Sequence, residues 1–246
     1  MKIFIGCAGW SIPKPHSERF SPSGSHLERY ATRLTGVEIN SSFYRPHRPQ
    51  TYSKWAASVP DCFRFAVKVP KTMTHEHRLQ DTAVLIDDFS EQVTYLGHKL
   101  GPLLVQLPPS LRFEQAVAEK FFSALRNRFS GFVVCEPRHA SWFVPQADDL
   151  LSAFQVARVA ADPAPVPQAS APGGWNGLRY FRLHGSPTIY RSAYSATYLQ
   201  ALAEIIQKNA EQSAPVWCIF DNTAESAATE NALELMKVLR LRPEEA

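Results

Sequence analysis

Polar side chains stand in pairs at the ends of several apolar runs in this sequence. The pairs, each spaced by two residues, are Glu38 and Asn40, Glu136 and Arg138, and Arg182 and His184. Since successive side chains of a β-strand point to opposite faces, two residues spaced by two share a face. Each pair therefore directs both polar groups to one side of its strand. Carboxylates, guanidinium groups and an imidazole gathered on one side suit acid–base catalysis or anion binding.

Eight apolar runs supply the strands that would position these pairs. They are residues 2–10, 36–44, 63–71, 101–109, 131–139, 157–164, 178–185 and 216–223. Several are separated by segments with helical spacing of apolar residues, and strands that alternate with helices predict a parallel sheet. Eight such units in 246 residues predict an α/β protein, a (β/α)8 TIM-type barrel forming a single domain over residues 1–246. An open doubly wound sheet is the alternative, but its glycine-rich phosphate fingerprint is missing.

One connection departs from the alternation of strands and helices. Residues 162–177 contain prolines at positions 163, 165, 167 and 172 and a pair of glycines. Proline removes a helical hydrogen bond and clashes with the preceding turn. The sequence therefore predicts that the helix between strands six and seven is missing or irregular.

Composition favours a cytoplasmic protein with no membrane partner. The formal net charge is only +3, which gives little support to a nucleic-acid partner. The four cysteines are widely scattered, which is typical of reduced thiols in the cytoplasm rather than of a disulfide framework. No apolar segment is long enough to span a bilayer. The oligomeric state is left open.

The carboxyl ends of the predicted strands hold the candidate site residues, because TIM-type barrels build their sites there. The candidates for acid–base chemistry are Glu38, Glu136 and His184. The candidates for ligand binding are Trp10, Asn40, Tyr44, Lys68, Gln106, Arg138, His139, Trp142, Arg182 and Asn222. This mixture of charges predicts a pocket for a small anionic or polyhydroxylated ligand. An ion-pair network that only ties strand ends together is the structural alternative.

Five motifs carry a family resemblance. They are VEINSSFYR (37–45), FRFAVKVPKTMTH (63–75), LGPLLVQLPPS (100–110), CEPRHASW (135–142) and YFRLHG (180–185). With these motifs the sequence resembles the YecE-like family, also known as domain of unknown function seventy-two. The resemblance implies a TIM-type barrel and no established activity. The last strand of that family usually ends in two asparagines, where this chain has Asp221 and Asn222.

Three functions fit these candidates, and the sequence leaves open whether the protein is an enzyme. In a metal-assisted hydrolase of phosphodiesters, a divalent metal would be bound by Glu136, Asp162, His184 and Asp221. The order of these four residues resembles the metal ligands of endonuclease-four and xylose-isomerase-like barrels. In a metal-free hydrolase of sugar-containing substrates, Glu38 and Glu136, or His184, would transfer protons. The third function is non-catalytic binding of an anionic ligand or nucleic acid.

Overall fold

Strands and helices alternate along residues 2–212 and 214–243, the part of the chain that the computed structural model describes. The strands are β1 (Ile3–Cys7), β2 (Gly36–Ile39), β3 (Arg64–Lys68), β4 (Leu100–Gln106), β5 (Val133–Glu136), β6 (Val156–Arg158), β7 (Ala160–Asp162), β8 (Gly173–Gly174), β9 (Arg179–Leu183) and β10 (Val216–Phe220). The helices are α1 (His26–Ala31), α2 (Pro49–Ala57), α3 (Ala83–Thr94), α4 (Gln115–Arg128), α5 (Pro145–Ala153), α6 (Ala196–Ala210) and α7 (Ala227–Val238). Within the described ranges, no helix has the length and apolar character needed to cross a membrane.

The strands form two hydrogen-bonded ladders, in which every pairing is parallel except that of β6 with β8. One ladder has the order β1-β10-β9-β7 and the other β2-β3-β4-β5-β6-β8. Only Val159 separates β6 from β7, so residues 156–162 connect the two ladders. At the opposite edges, β1 and β2 meet at a single bridge between Ala8 and Glu38. The predicted α/β architecture is confirmed, whereas the ladders of the described residues do not close into a complete barrel.

Side-chain hydroxyl groups take the place of a ladder between β1 and β2. Thr35 Oγ1 accepts a hydrogen bond from the Ile5 backbone N–H at 2.8 Å. The Tyr30 hydroxyl accepts one from the Cys7 N–H at 2.7 Å and donates one to the Gly36 carbonyl at 3.2 Å. These hydroxyls satisfy backbone groups that would otherwise be buried without partners. The two strands are therefore joined at this edge mainly by side chains.

Gly6 permits the close approach of β1 to β2. A Cβ at this position would lie 2.0 Å from the Gly36 carbonyl oxygen, and a backbone atom cannot rotate away. We expect Gly6→Ala to lower the free energy of unfolding by about 1–3 kcal/mol, the usual cost of overpacking. Gly36→Ala is the matched control and should cost less, because its nearest contact would be the Trp217 side chain at 3.1 Å. Urea denaturation measures both variants, and equal losses would contradict this explanation.

The connection between β7 and β9 lacks an α-helix over residues 163–178, all of which are described. It contains a short 3-10 turn, Pro167–Ser170, and the two-residue strand β8, which pairs antiparallel with β6. The irregular connection agrees with the proline-rich sequence.

Alternation along the parallel strands divides the core into two layers. An outer layer packs against the helices and includes Ile5, Val37, Phe65, Val133 and Phe181. An inner layer comprises Phe4, Ala66, Leu104, Val134, Ala157, Val159, Leu178, Tyr180, Trp217 and Ile219. Strand parity assigns Glu38, Lys68, Glu136, Arg182 and Asp221 to the same inner side, near the carboxyl ends. Apolar side chains thus fill the inner side up to the level at which the charged ones begin.

Candidate functional site

Arg182 is the centre of a buried ionic cluster at the carboxyl ends of the strands. Its Nη2 donates to Glu38 Oε1 at 2.8 Å and its Nη1 to Glu136 Oε2 at 3.2 Å. The same Nη2 lies 3.0 Å from Asp221 Oδ2. Burial opposes the charge of Arg182, but the three carboxylates outweigh it and raise the pKa of the guanidinium well above its ordinary value. A fully buried arginine is tolerable here because three acids surround it, although its Nη1 also lies 3.4 Å from His184 Nε2.

Glu38 uses both carboxylate oxygens to hold its neighbours. Oε1 accepts from Arg182 Nη2, while Oε2 accepts from Arg182 Nε at 3.1 Å and from the Tyr180 hydroxyl at 2.9 Å. Glu38 and Tyr180 are both fully buried. Both carboxylate oxygens of Glu38 are thus engaged by Arg182 and Tyr180.

His184 lies between two carboxylates. Its Nε2 is 2.8 Å from Glu136 Oε1, and its Nδ1 is 3.1 Å from Asp221 Oδ2. Both contacts require an N–H donor, so the geometry favours the imidazolium form. Burial disfavours that charge, but Glu136 and the hydrogen bonds to both acids outweigh it and raise the pKa of His184.

Glu136 and Asp221 remain ionised inside the cluster. Burial acts to raise the pKa of Glu136, but His184 and Arg182 hold it far below the usual range. The pKa of Asp221 is lowered by the same two partners against the same effect of burial. A carboxyl group that stays deprotonated cannot serve as a general acid at neutral pH. Among these groups, His184 is therefore the one that carries a transferable proton.

Lys68 and Arg138 are the cations on the solvent side of the cluster. Arg138, with 17% of its side chain exposed, donates one hydrogen bond to Glu136 Oε1 at 3.0 Å. Within residues 2–212 and 214–243, the ammonium of Lys68 makes no hydrogen bond or ion pair, and its Nζ lies 4.0 Å from the centroid of the Phe43 ring. Burial and the nearby Arg182 lower the pKa of Lys68 to about 8, against the opposing effect of the acids. Both cations thus retain unused hydrogen-bond donors.

Three uncharged side chains complete the rim of the cluster. Gln106 Nε2 donates to Glu136 Oε1 at 3.4 Å. Asn40 Oδ1 is buried and has no hydrogen-bond partner in the described part of the chain. The ring of Tyr190, a half-exposed residue, lies 5.9 Å from that of His184. Tyr190 was absent from the sequence-derived candidates because it lies in a loop without periodicity, whereas Tyr180 shares the strand and face of Arg182 and was detectable by parity.

Three members of the predicted metal-binding set, Glu136, His184 and Asp221, come together, but Asp162 does not join them. Like the outer-layer residue Ala160, Asp162 points away from the cluster by strand parity, and its Oδ1 accepts a hydrogen bond from Tyr194 at 2.8 Å. The guanidinium of Arg182 instead lies between Glu136 and Asp221. Among the described side chains, no group of three or more His, Cys, Asp or Glu is arranged to hold a metal ion. The structure corrects the prediction for Asp162, which was based on chain order rather than on parity.

Trp142, His139 and Asn222 have packing or capping roles rather than places in the cluster. Trp142 is buried, and its Nε1 donates to a backbone carbonyl at 3.0 Å. His139 Nδ1 accepts from the Ser141 N–H at the start of a short 3-10 turn. The Nδ2 of Asn222 donates to the Ser192 carbonyl and to a neighbouring asparagine, which fixes a loop. Their contact with a ligand stays a prediction, and Asn222 Oδ1, like Asn40 Oδ1, has no hydrogen-bond partner in the described part of the chain.

Trp10 and Tyr44 lie at the periphery. The Trp10 ring packs edge-on against Trp55 at 4.9 Å. Tyr44 is exposed and lines a cleft of about 200 Å³ together with Phe43, the residue whose ring contacts Lys68. Of these two aromatic residues, Tyr44 is the one that shares a cleft with a neighbour of Lys68, namely Phe43.

Sequence comparison places these residues in a known family. Residues 4–246 match the model of the family described as "Protein of unknown function DUF72". The chain belongs to the DUF72 family. This DUF72 protein is 30% identical over 143 residues to the UPF0759 protein YecE of Escherichia coli K12, a match that covers 57% of this chain and half, 50%, of YecE. It is 24% identical to the UPF0759 protein YunF of Bacillus subtilis 168, over 96% of this chain and 94% of YunF.

Solved structures share the fold of this DUF72 protein. A DUF72 protein of Enterococcus faecalis V583 superposes with a TM-score of 0.81 at 24% identity, covering 97% of this chain and 96% of that one. A xylose isomerase-like TIM barrel/4-hydroxyphenylpyruvate dioxygenase fusion protein gives a TM-score of 0.53 at 14% identity, covering 97% of this chain and 42% of the fusion. These likenesses support an α/β fold related to xylose isomerase-like TIM barrels. The predicted family membership is confirmed, and the family description assigns no activity.

Proposed function

We propose that this DUF72 protein is an enzyme that binds a small anionic, polyhydroxylated ligand at the carboxyl ends of its strands. The observation that carries the proposal is the unpaired ammonium of Lys68, which lies next to a cluster in which the other buried charges are paired. A largely buried ammonium with free hydrogen-bond donors is stabilised when an anion accepts from them. The anionic group of a ligand would supply that partner.

The charge balance of the cluster favours an anion. Three carboxylates, those of Glu38, Glu136 and Asp221, face the guanidinium of Arg182. Lys68 and Arg138 bring the fixed cations to three, and a protonated His184 adds a fourth positive charge. The sum is therefore one positive charge. A bound monoanion would neutralise it, and Arg138 has donors free for bidentate binding of a phosphate or carboxylate.

The uncharged rim suits a hydroxylated ligand. The unpartnered Asn40 Oδ1 can accept a hydrogen bond from a hydroxyl group, and the Gln106 amide can exchange its long contact with Glu136 for a ligand contact. The exposed ring of Tyr190 offers an apolar face to a sugar ring. A phosphorylated or carboxylated sugar derivative satisfies all of these groups.

Proton transfer by His184 is the chemistry that this geometry supports best. His184 shares its protons with Glu136 and Asp221, so a ligand that draws either carboxylate away would free one of these protons. A hydrolase of sugar-containing substrates would use that proton for the leaving group. Glycoside hydrolysis by a pair of glutamates is less well supported, because it requires a protonated carboxyl group and the pKa of Glu136 is lowered.

Calorimetric titration with inorganic phosphate, ribose 5-phosphate and glucuronate tests the anion site. We expect Lys68→Met and Arg138→Gln each to weaken binding by about 10-fold or more, as expected for loss of a charge-assisted contact. The matched controls are Lys54→Met and Arg112→Gln, which change exposed residues away from the cluster and should leave the affinity unchanged. No binding of the three anions, or equal losses in the controls, would contradict the proposal. Salt-sensitive binding of nucleic acid in their place would favour the non-catalytic alternative.

A further inference from the structure

We infer that Lys68 forms an imine with a carbonyl-bearing ligand. This inference deepens the proposed function, since it narrows the ligand class to small anionic aldehydes, keto acids or keto sugars. In this assignment Arg138 holds the anionic group and Lys68 reacts with the carbonyl carbon.

The surroundings of Lys68 differ from those of the other buried lysine. Lys99 is comparably buried, but its Nζ donates to the carbonyl oxygens of Ala56 and Val59 at 2.9 and 2.7 Å. Lys68 Nζ makes no such hydrogen bond within the described ranges and instead lies against the Phe43 ring. The Phe43 ring face stabilises a cation, but it replaces none of the hydrogen bonds that hold the ammonium of Lys99. The charged form of Lys68 is therefore held by fewer contacts than that of Lys99.

The charges of the cluster support the same conclusion. Burial and the positive charge of Arg182 bring the pKa of Lys68 to about 8. About a tenth of the amine is then unprotonated at pH 7 and about half at pH 8. Amines with a lowered pKa in partly desolvated sites are the usual imine-forming nucleophiles. With 5% of its surface exposed, Lys68 remains open to a small molecule at the rim.

The reaction balances without an external oxidant or reductant. The Nζ lone pair attacks the carbonyl carbon and forms the C–N bond while the C=O π bond breaks, and one proton passes from the nitrogen to the oxygen to give a neutral carbinolamine. One proton taken up from solvent then allows that hydroxyl group to leave as water, with the nitrogen lone pair forming the C=N bond. The product is a protonated imine. Its positive charge replaces that of the ammonium beside Glu38, Glu136 and Asp221.

Reductive trapping tests the inference. The protein would be incubated at pH 8 with glyoxylate or with dihydroxyacetone phosphate in the presence of sodium cyanoborohydride, which reduces an imine to a stable secondary amine. Peptide mass mapping then measures the rate of modification at each lysine. We expect Lys68 to react at least tenfold faster than the exposed Lys54, and Lys99 to stay unmodified. The rate at Lys68 should rise with pH and reach half its maximum near pH 8.

Two variants and one titration make the result decisive. Lys68→Arg keeps a cation but cannot form the adduct, so labelling of that peptide should vanish, while Lys54→Arg should leave labelling of Lys68 unchanged. If neither probe labels Lys68 faster than Lys54, the inference is wrong. Phosphate titration of the unmodified protein separates the two proposals. Phosphate binding without labelling refutes only the imine, whereas labelling without phosphate binding supports the imine and refutes the anion site.

Discussion

Replacing Arg182 with methionine should lower the free energy of unfolding by about 3–5 kcal/mol or abolish folding. Methionine fills much of the volume of the arginine but leaves Glu38, Glu136 and Asp221 close together without their shared cation. Buried carboxylates that lose their partner must either repel one another or take up protons, and both outcomes destabilise the native state. Urea denaturation at pH 7, followed by circular dichroism, measures the loss.

Two further variants keep this prediction testable if Arg182→Met does not fold. Arg182→Lys retains the charge but cannot reach three acids with a planar fork, so its stability should fall between those of the wild type and Arg182→Met. Arg128→Met removes the exposed ion pair with Asp87, whose side chains are 59% and 45% accessible, and should cost less than about 1 kcal/mol. Comparable losses for Arg128→Met and Arg182→Met would show that the buried cluster has no special role in stability.

The free energy of unfolding should be greatest between about pH 5 and 6.5. It should fall as the pH is lowered below this range and also as the pH is raised above it. The pKa of His184 is raised in the folded state, so its contribution is complete below about pH 6.5 and is lost as the pH rises through the folded value. The pKa values of Glu136 and Asp221 are lowered, so their contribution is present above about pH 4 and is lost as the pH falls through the folded values. Each group changes the free energy of unfolding by up to about 1.4 kcal/mol per pH unit.

Urea denaturation between pH 2 and 8 measures both limbs, with His184→Gln as the diagnostic variant. Glutamine cannot take up the proton, so the decline between pH 6.5 and 8 should flatten while the acid limb remains. The upper limit of pH 8 is needed because the pKa of Lys68 is about 8 in the folded state. Above that pH the titration of Lys68 raises the free energy of unfolding, whereas that of His184 lowers it. An unchanged decline in His184→Gln would contradict the assignment of the alkaline limb to this imidazole and its partners.

Strand parity accounts for the part of the site that was predictable from the sequence. Glu136 follows a continuous apolar run, and Arg182 and His184 share the face opposite Phe181, so their common side could be read from spacing alone. The prediction for Asp162 failed because β7 directs this residue to the helix side of the sheet, together with Ala160. His139 and Trp142 follow the end of β5, where the alternation no longer applies.

The remaining features depend on contacts between distant segments. Tyr30, in a helix, completes the hydrogen bonding between β1 and β2, which no periodic pattern indicates. Tyr190 lies beside His184 because of the path of a loop. The pairing of Arg182 with acids from three other strands follows from topology, and the sequence could supply only the list of participants.

The guanidinium of Arg182 constrains which substitutions this chain can accept at the carboxyl ends of its strands. It fills the space between Glu136 and Asp221 that a divalent ion would need in a related metalloenzyme. Loss of the arginine alone leaves an excess of negative charge in the interior, while gain of another acid alone adds to it. Converting this arrangement into a metal site therefore requires several residues to change together. Otherwise a bound metal ion must itself stabilise the variants that have changed only one of them. A substitution that changes the chemistry of this cluster will therefore also change the stability of the fold.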